Sequence, residues 1–205
     1  MALKKSNVEH QEEIGFSSLE DALNSFYNTT DIAKKHFAID EMVKFENGID
    51  KLVMIYSDEN LDHTTISYIS AILSKLDSND APIDAILEIL KSENAFLRNS
   101  AISLLQGYGK AIKYYIVKYL IGEDRDLRIF AINVLGDVKF AESRDMLVEL
   151  IQKEQDVNVA MTAVDYLAEI GEIDDIPILE SLKDRFSNEP YVVFAVNNAI
   201  RMIKG

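Results

Sequence analysis

Apolar residues in this chain follow two periods. Within short segments they lie three and four residues apart, the spacing of one face of a helix. Between segments the pattern returns at a near-constant step. Ala38, Tyr68, Ala101, Ala131, Ala163 and Ala195 are separated by 30, 33, 30, 32 and 32 residues. Each is followed by an aliphatic residue: Ile39, Ile69, Ile102, Ile132, Val164 and Val196. Four residues beyond each marker stand Met42, Ile72, Leu105, Leu135, Leu167 and Ala199. Fixed-period self-similarity of this kind marks a protein built from stacked supersecondary units.

The clearest unit runs from Lys110 to Gly136. Its first half, 111–121, has helical apolar spacing, and Gly122 is expected to end it in the left-handed conformation of a C-cap. Asp124 is placed to cap a second helix by accepting from its free first-turn amides. Leu127, Ala131, Val134 and Leu135 form one face of that helix, and Gly136 is expected to close it. Seven residues before the other markers, Asp31, Asn94, Asp156 and Asn188 repeat the cap; in the second unit Asn60 and Asp62 flank the equivalent Leu61. A small marker residue lets two helices cross closely, so the unit built on Tyr68 should pack more loosely.

First helices are expected over 19–27, 49–56, 82–91, 111–121, 141–152 and 176–186, with Pro82 and Pro177 in first turns, where a missing amide costs nothing. No strand pattern is present. The expected fold is all-α: a right-handed α-α superhelix of about six helix pairs, with an inner and an outer layer. Residues 1–15 read as a polar tail and 16–205 as a single repeat domain.

Residues 124–136, Asp-Arg-Asp-Leu-Arg-Ile-Phe-Ala-Ile-Asn-Val-Leu-Gly, resemble the second half of a HEAT repeat, and 94–107 fit as well. The likeness is to the short bacterial repeats also found in phycobilisome lyases, and it extends over about 17–203. The family pattern has an acidic or amide cap, an aliphatic residue, Arg, then small residues and Leu-Gly. Arg98 and Arg128 fill the Arg position, Lys35 approximates it, and Thr65, Ala160 and Val192 depart from it. The resemblance implies a structural ladder of Arg98, Arg128, Asp124 and Asp156 that ties neighbouring repeats, interrupted in the last two. It also implies two functional classes, a protein-binding scaffold or a tetrapyrrole (bilin) lyase or isomerase.

Charge and composition narrow the chemistry. Lys and Arg total 21 against 35 Asp and Glu, a net charge of −14, which repels phosphate backbones and argues against nucleic acid. The same charge and the absence of Trp oppose a HEAT-like DNA glycosylase. There is no cysteine, hence no disulfide or thiolate nucleophile. Lys4 and Lys5 are followed by polar residues, unlike a secretory signal, and no apolar run approaches a membrane span. A cytoplasmic protein is the expectation.

Candidate sites are few. His10, His36 and His63 are isolated in sequence and none precedes a Glu, so no metal centre is expected. Asp77, Asn79 and Glu88 sit at calcium-loop positions one, three and twelve, but Pro82 occupies the turn position that demands glycine. Gly107-Tyr-Gly109 lacks the preceding strand and the following Lys-Ser/Thr in register of a phosphate loop. No nucleophile elbow appears. No catalytic residue and no cofactor are expected.

Two columns on the second helices remain. Two residues after the marker the column is Asp40, Ser70, Ser103, Asn133, Asp165 and Asn197, as a solvated concave face would be. Two residues before it, the column turns apolar at Ile129, Met161 and Val193. Lined up over successive repeats, these three are expected to form a docking stripe, flanked by Asn133, Asp165 and Asn197. The functional expectation is a non-catalytic adaptor that takes a protein partner on its concave face.

Overall fold

The computed structural model describes residues 15–138 and 140–205, so His10 and nearly all of the expected N-terminal tail lie outside the described residues. The described residues form twelve α-helices and three short 3-10 segments, without a strand. The chain divides into two compact units, residues 1–52 and 53–205.

In the first unit α1 (Leu19–Tyr27) packs on α2 (Ile32–Met42). Ser18 caps α1 through the Asp21 amide, and Asp31 caps α2 through the amides of Ala33 and Lys34. Ala22, Phe26, Ala38, Ile39 and Met42 are buried between them. The Phe16 and Phe37 rings lie 5.5 Å apart at the edge of this core. The boundary between the units falls inside α3 (Gly48–Tyr56).

The second unit is an α-solenoid of helix pairs. Its second helices are α4 (His63–Leu73), α6 (Ala95–Gly107), α8 (Arg125–Val138), α10 (Val157–Ile170) and α12 (Pro190–Lys204). They pack side by side in that order as one layer. Its first helices are α5 (Ile83–Glu88), α7 (Lys113–Leu120), α9 (Ser143–Lys153) and α11 (Ile176–Arg185), each packed on the second helix that follows it. The expected spans of the first helices hold to within a residue or two. The exceptions are 3-10 turns at Ile89–Lys91 and Gly109–Ile112, which replace parts of the expected helices.

Capping follows the expected grammar except at the end of the chain. Asn94, Asp124 and Asp156 each accept from two first-turn amides, and Asp62 caps α4. Asn188 caps nothing. Glu189 takes the cap position of α12 without a side-chain bond, and Pro190 opens the helix where its missing amide costs nothing. The markers Ala101, Ala131 and Ala163 are fully buried. Tyr68, too large for such a crossing, is half-buried.

Both glycine expectations in the best unit need correction. α7 ends at Leu120, and Gly122 follows without the left-handed conformation, which among the described glycines belongs to Gly109 and Gly205. Gly136 does not close α8; it is buried two residues before the end of the helix. A Cβ there would fall 1.7 Å from Cε1 of Tyr166, so the glycine exists to seat the Tyr166 ring of α10 against α8.

Candidate partner-binding surface

The solvent face of the second helices turns about one residue from its expected phase. Ile129 is half-buried, Met161 is 7% exposed and Val193 is 45% exposed. The three do not make a continuous exposed stripe, because Met161 is core. In the last two repeats the residue that follows is the more exposed, Thr162 being half-buried and Phe194 77% exposed, while Phe130 is half-buried like Ile129. The polar column does face water: Asp165 and Asn197 are exposed and Asn133 is half-buried. Asp137 and Glu169 extend this face one turn further along α8 and α10.

The face is braced across repeats. Gln106 of α6 donates through Nε2 to the Asn133 carbonyl at 2.9 Å. Tyr166 of α10 donates its hydroxyl to Oδ1 of Asn133 at 3.4 Å. Partial burial beside this ring pushes the Asp165 carboxyl above its ordinary value, and burial does the same to the Tyr166 hydroxyl. The outcome is a firm surface with acids at its rim and aromatic rings set into it.

Arginines hold the repeats in register beneath that face. Arg128 forks onto Glu154, Nε to Oε2 at 2.8 Å and Nη2 to Oε1 at 3.1 Å. Its Nη1 donates to the carbonyls of Gly122 and Glu123, each at 2.9 Å. Glu154 Oε1 also accepts from the amides of Gln155 and Asp156, so one pair joins α8, the end of α9 and the start of α10. A bidentate pair of this kind fixes geometry as well as supplying energy.

Arg98 keeps only part of this arrangement. It donates to the Ser92 carbonyl at 2.7 Å and lies over the Phe130 ring, 4.5 Å from the centroid. Asp124 and Asp156 are helix caps, not acid partners of these arginines. Where the second-helix Arg is missing, at Ala160 and Val192, first-helix arginines take over. Arg144 forks onto Asp175 at 2.8 and 2.7 Å, and Arg185 donates to the carbonyls of Ile151, Gln152 and Glu154. Sequence reading missed Glu154, Arg144, Asp175 and Arg185, because they lie outside the second-helix column that carries the repeat signature.

The remaining candidates do not assemble a centre. Among the described residues no three His, Asp or Glu side chains converge as a metal-binding group. His63 stacks on the Phe96 ring at 3.9 Å. In the calcium-like loop Asp77 Oδ1 accepts from the Asn79 amide, and Glu88 instead accepts from the Tyr119 hydroxyl at 2.6 Å on the neighbouring first helix. No described helix is long and apolar enough to cross a membrane.

Residues 115–193 match the model of HEAT repeats. That span covers α8, α9, α10 and α11, where the Arg128 and Arg144 ties and the Gly136–Tyr166 seat lie. No curated protein matches the chain. Among solved structures, the crystal structure of an engineered protein from a structural genomics consortium is similar at 17% identity and a TM-score of 0.44, over 92% of this chain and 97% of its own.

Proposed function

We propose that the protein is a non-catalytic scaffold that holds a protein partner on its second-helix face, the concave side of the solenoid. The observation that carries the reading is the row of polar groups along the second helices, braced from α6 through α8 to α10. Asn133 and Asp165 are polar groups in register there, with Tyr166 and the 77% exposed Phe194 as apolar anchors, while Asn197 of α12 accepts from Lys183 of α11 at 2.6 Å. Exposed aromatics among polar groups are the usual anchors of a protein interface. HEAT repeats over 115–193 agree with this use. Arg128 is committed to Glu154, and Arg98 to a carbonyl and the Phe130 ring, which leaves neither for the carboxylates of a tetrapyrrole and favours the scaffold over a lyase.

The test is affinity capture from the native cell with the parent protein and with a Phe194→Asp, Asp165→Lys variant. Both positions are exposed, so helical circular dichroism should stay at the parental level. A protein captured by the parent and lost from the variant supports the reading. Equal capture by both moves the site off this face. Absorbance changes on adding a bilin to the parent would favour the lyase instead.

A further inference from the structure

The seams between neighbouring second helices are not tied alike. Arg98 and Arg128 hold the same register position, and each donates through Nη1 to the carbonyl six residues before it, Ser92 and Gly122. On the forward side they differ. Arg128 forks onto Glu154, which stands two residues before the cap Asp156. The cap that follows Arg98 is Asp124, and two residues before it stands Gly122. Glycine brings no carboxylate, and Arg98 Nε is buried without a hydrogen-bond partner among the described residues. The guanidinium rests instead on the Phe130 ring of α8.

Opening the two seams at this end therefore has different costs. Parting α8 from α10 breaks a bidentate ion pair whose side chains are only 15% and 7% exposed. Parting the N-terminal end of α8 from α6 slides Phe130 off Arg98, and it lets water reach an N–H that has no partner. The α6–α8 repeats stay joined at two other places. Gln106 donates to the Asn133 carbonyl at 2.9 Å, near the C-terminal end of α6. In the first-helix layer Tyr119 donates to Glu88 at 2.6 Å, and Lys118 pairs with Asp84 at 2.6 Å. The N-terminal end of α8 lies off the line through these contacts.

We infer that the α6–α8 seam is a hinge, at which the N-terminal end of α8 swings away from α6 about the Gln106–Asn133 and Tyr119–Glu88 contacts. α10 moves with α8, because the Arg128–Glu154 pair and the Gly136–Tyr166 seat hold those two together. The motion changes the angle between α6 and the α8–α10 pair, and with it the shape of the second-helix face. It needs no partner on that face.

Pulsed electron paramagnetic resonance on the full chain tests it, with nitroxides on exposed residues near the helix starts. Ala95→Cys with Arg125→Cys spans α6 and α8; Arg125→Cys with Asn158→Cys spans α8 and α10. The chain has no cysteine of its own, so labelling is confined to these positions. The distance distribution should be about twice as wide across the first seam as across the second. Gly122→Glu supplies a carboxylate at the register position of Glu154. It should narrow the first distribution to the width of the second, and should fail to do so in an Arg98→Gln background. Equal widths in the parent overturn the inference, and they decide alone if Gly122→Glu does not fold. A wide distribution that Gly122→Glu leaves unchanged, or narrows equally without Arg98, also overturns it, because the missing carboxylate would then not be what frees the seam.

Discussion

α10 and α12 hold the same place in successive repeats, yet they treat equivalent residues differently. Met161 and Val193 are 32 positions apart in one register; the first is 7% exposed and the second 45%. Ala160 and Val192, also equivalent, are both fully buried. α10 has a second helix on each side, α8 and α12, whereas among the described residues α12 has one only on the α10 side. The inward face of each helix is therefore fixed by its own sequence, and the flank is fixed by its neighbour. Helical periodicity reports the former and is silent on the latter.

The seams differ as well. Between α8 and α10 the Tyr166 ring lies on Gly136. Between α10 and α12 the equivalent residues are Asn198 and Ala168, and the contact is instead reinforced by the Tyr191 hydroxyl, 3.4 Å from Oδ1 of Asn158. One seam is made by close backbone approach and the other by side chains at the rim.

The largest effect should come from charging the flank that α10 buries. Met161→Glu places a carboxylate at a position only 7% exposed, and should cost about 3–5 kcal/mol or abolish folding. Chemical denaturation read by circular dichroism measures it. A loss below about 1 kcal/mol would mean that this flank is as open as that of α12.

Much of this was legible in the sequence. Markers, caps and first helices are local patterns, and a capping Asp or a buried Ala is set by residues within one turn or one repeat. What escaped depends on residues about thirty positions away. Gly136 looks like a helix stop until Tyr166 is seen lying on it. The acid that serves Arg128 is Glu154, which lies outside the repeating column and so gave no periodic signal. The cavity between α7 and α9, bounded by Val117, Leu120, Met146 and Leu150, is a gap between repeats, and a gap leaves no pattern in one chain. The stripe Ile129, Met161 and Val193 erred by about 100° of helix rotation, one residue, which is the resolution of periodicity over helices of 14 and 15 residues.

A smaller effect should separate the two seams. Gly136→Ala gains helix propensity of up to about 1 kcal/mol but drives a methyl group into the Tyr166 ring. The net result should be a loss of about 1–2 kcal/mol. In a Tyr166→Ala background the same substitution should stabilise, because only the propensity gain remains. A double-mutant cycle with no coupling would show that the ring does not need the glycine.

The smallest effect is expected where the comparison began. Val193→Glu adds a charge to a flank that no described helix covers, on a residue nearly half exposed. Surface changes of this kind fall within about 0.5 kcal/mol. Stability should therefore match the parent while Met161→Glu fails, although the two substitutions are the same chemistry at the same repeat position. If Val193→Glu is as damaging as Met161→Glu, something covers α12 in solution, and the exposed flank is itself an interface. If both are tolerated, the neighbour does not decide burial and the contrast between α10 and α12 has another cause.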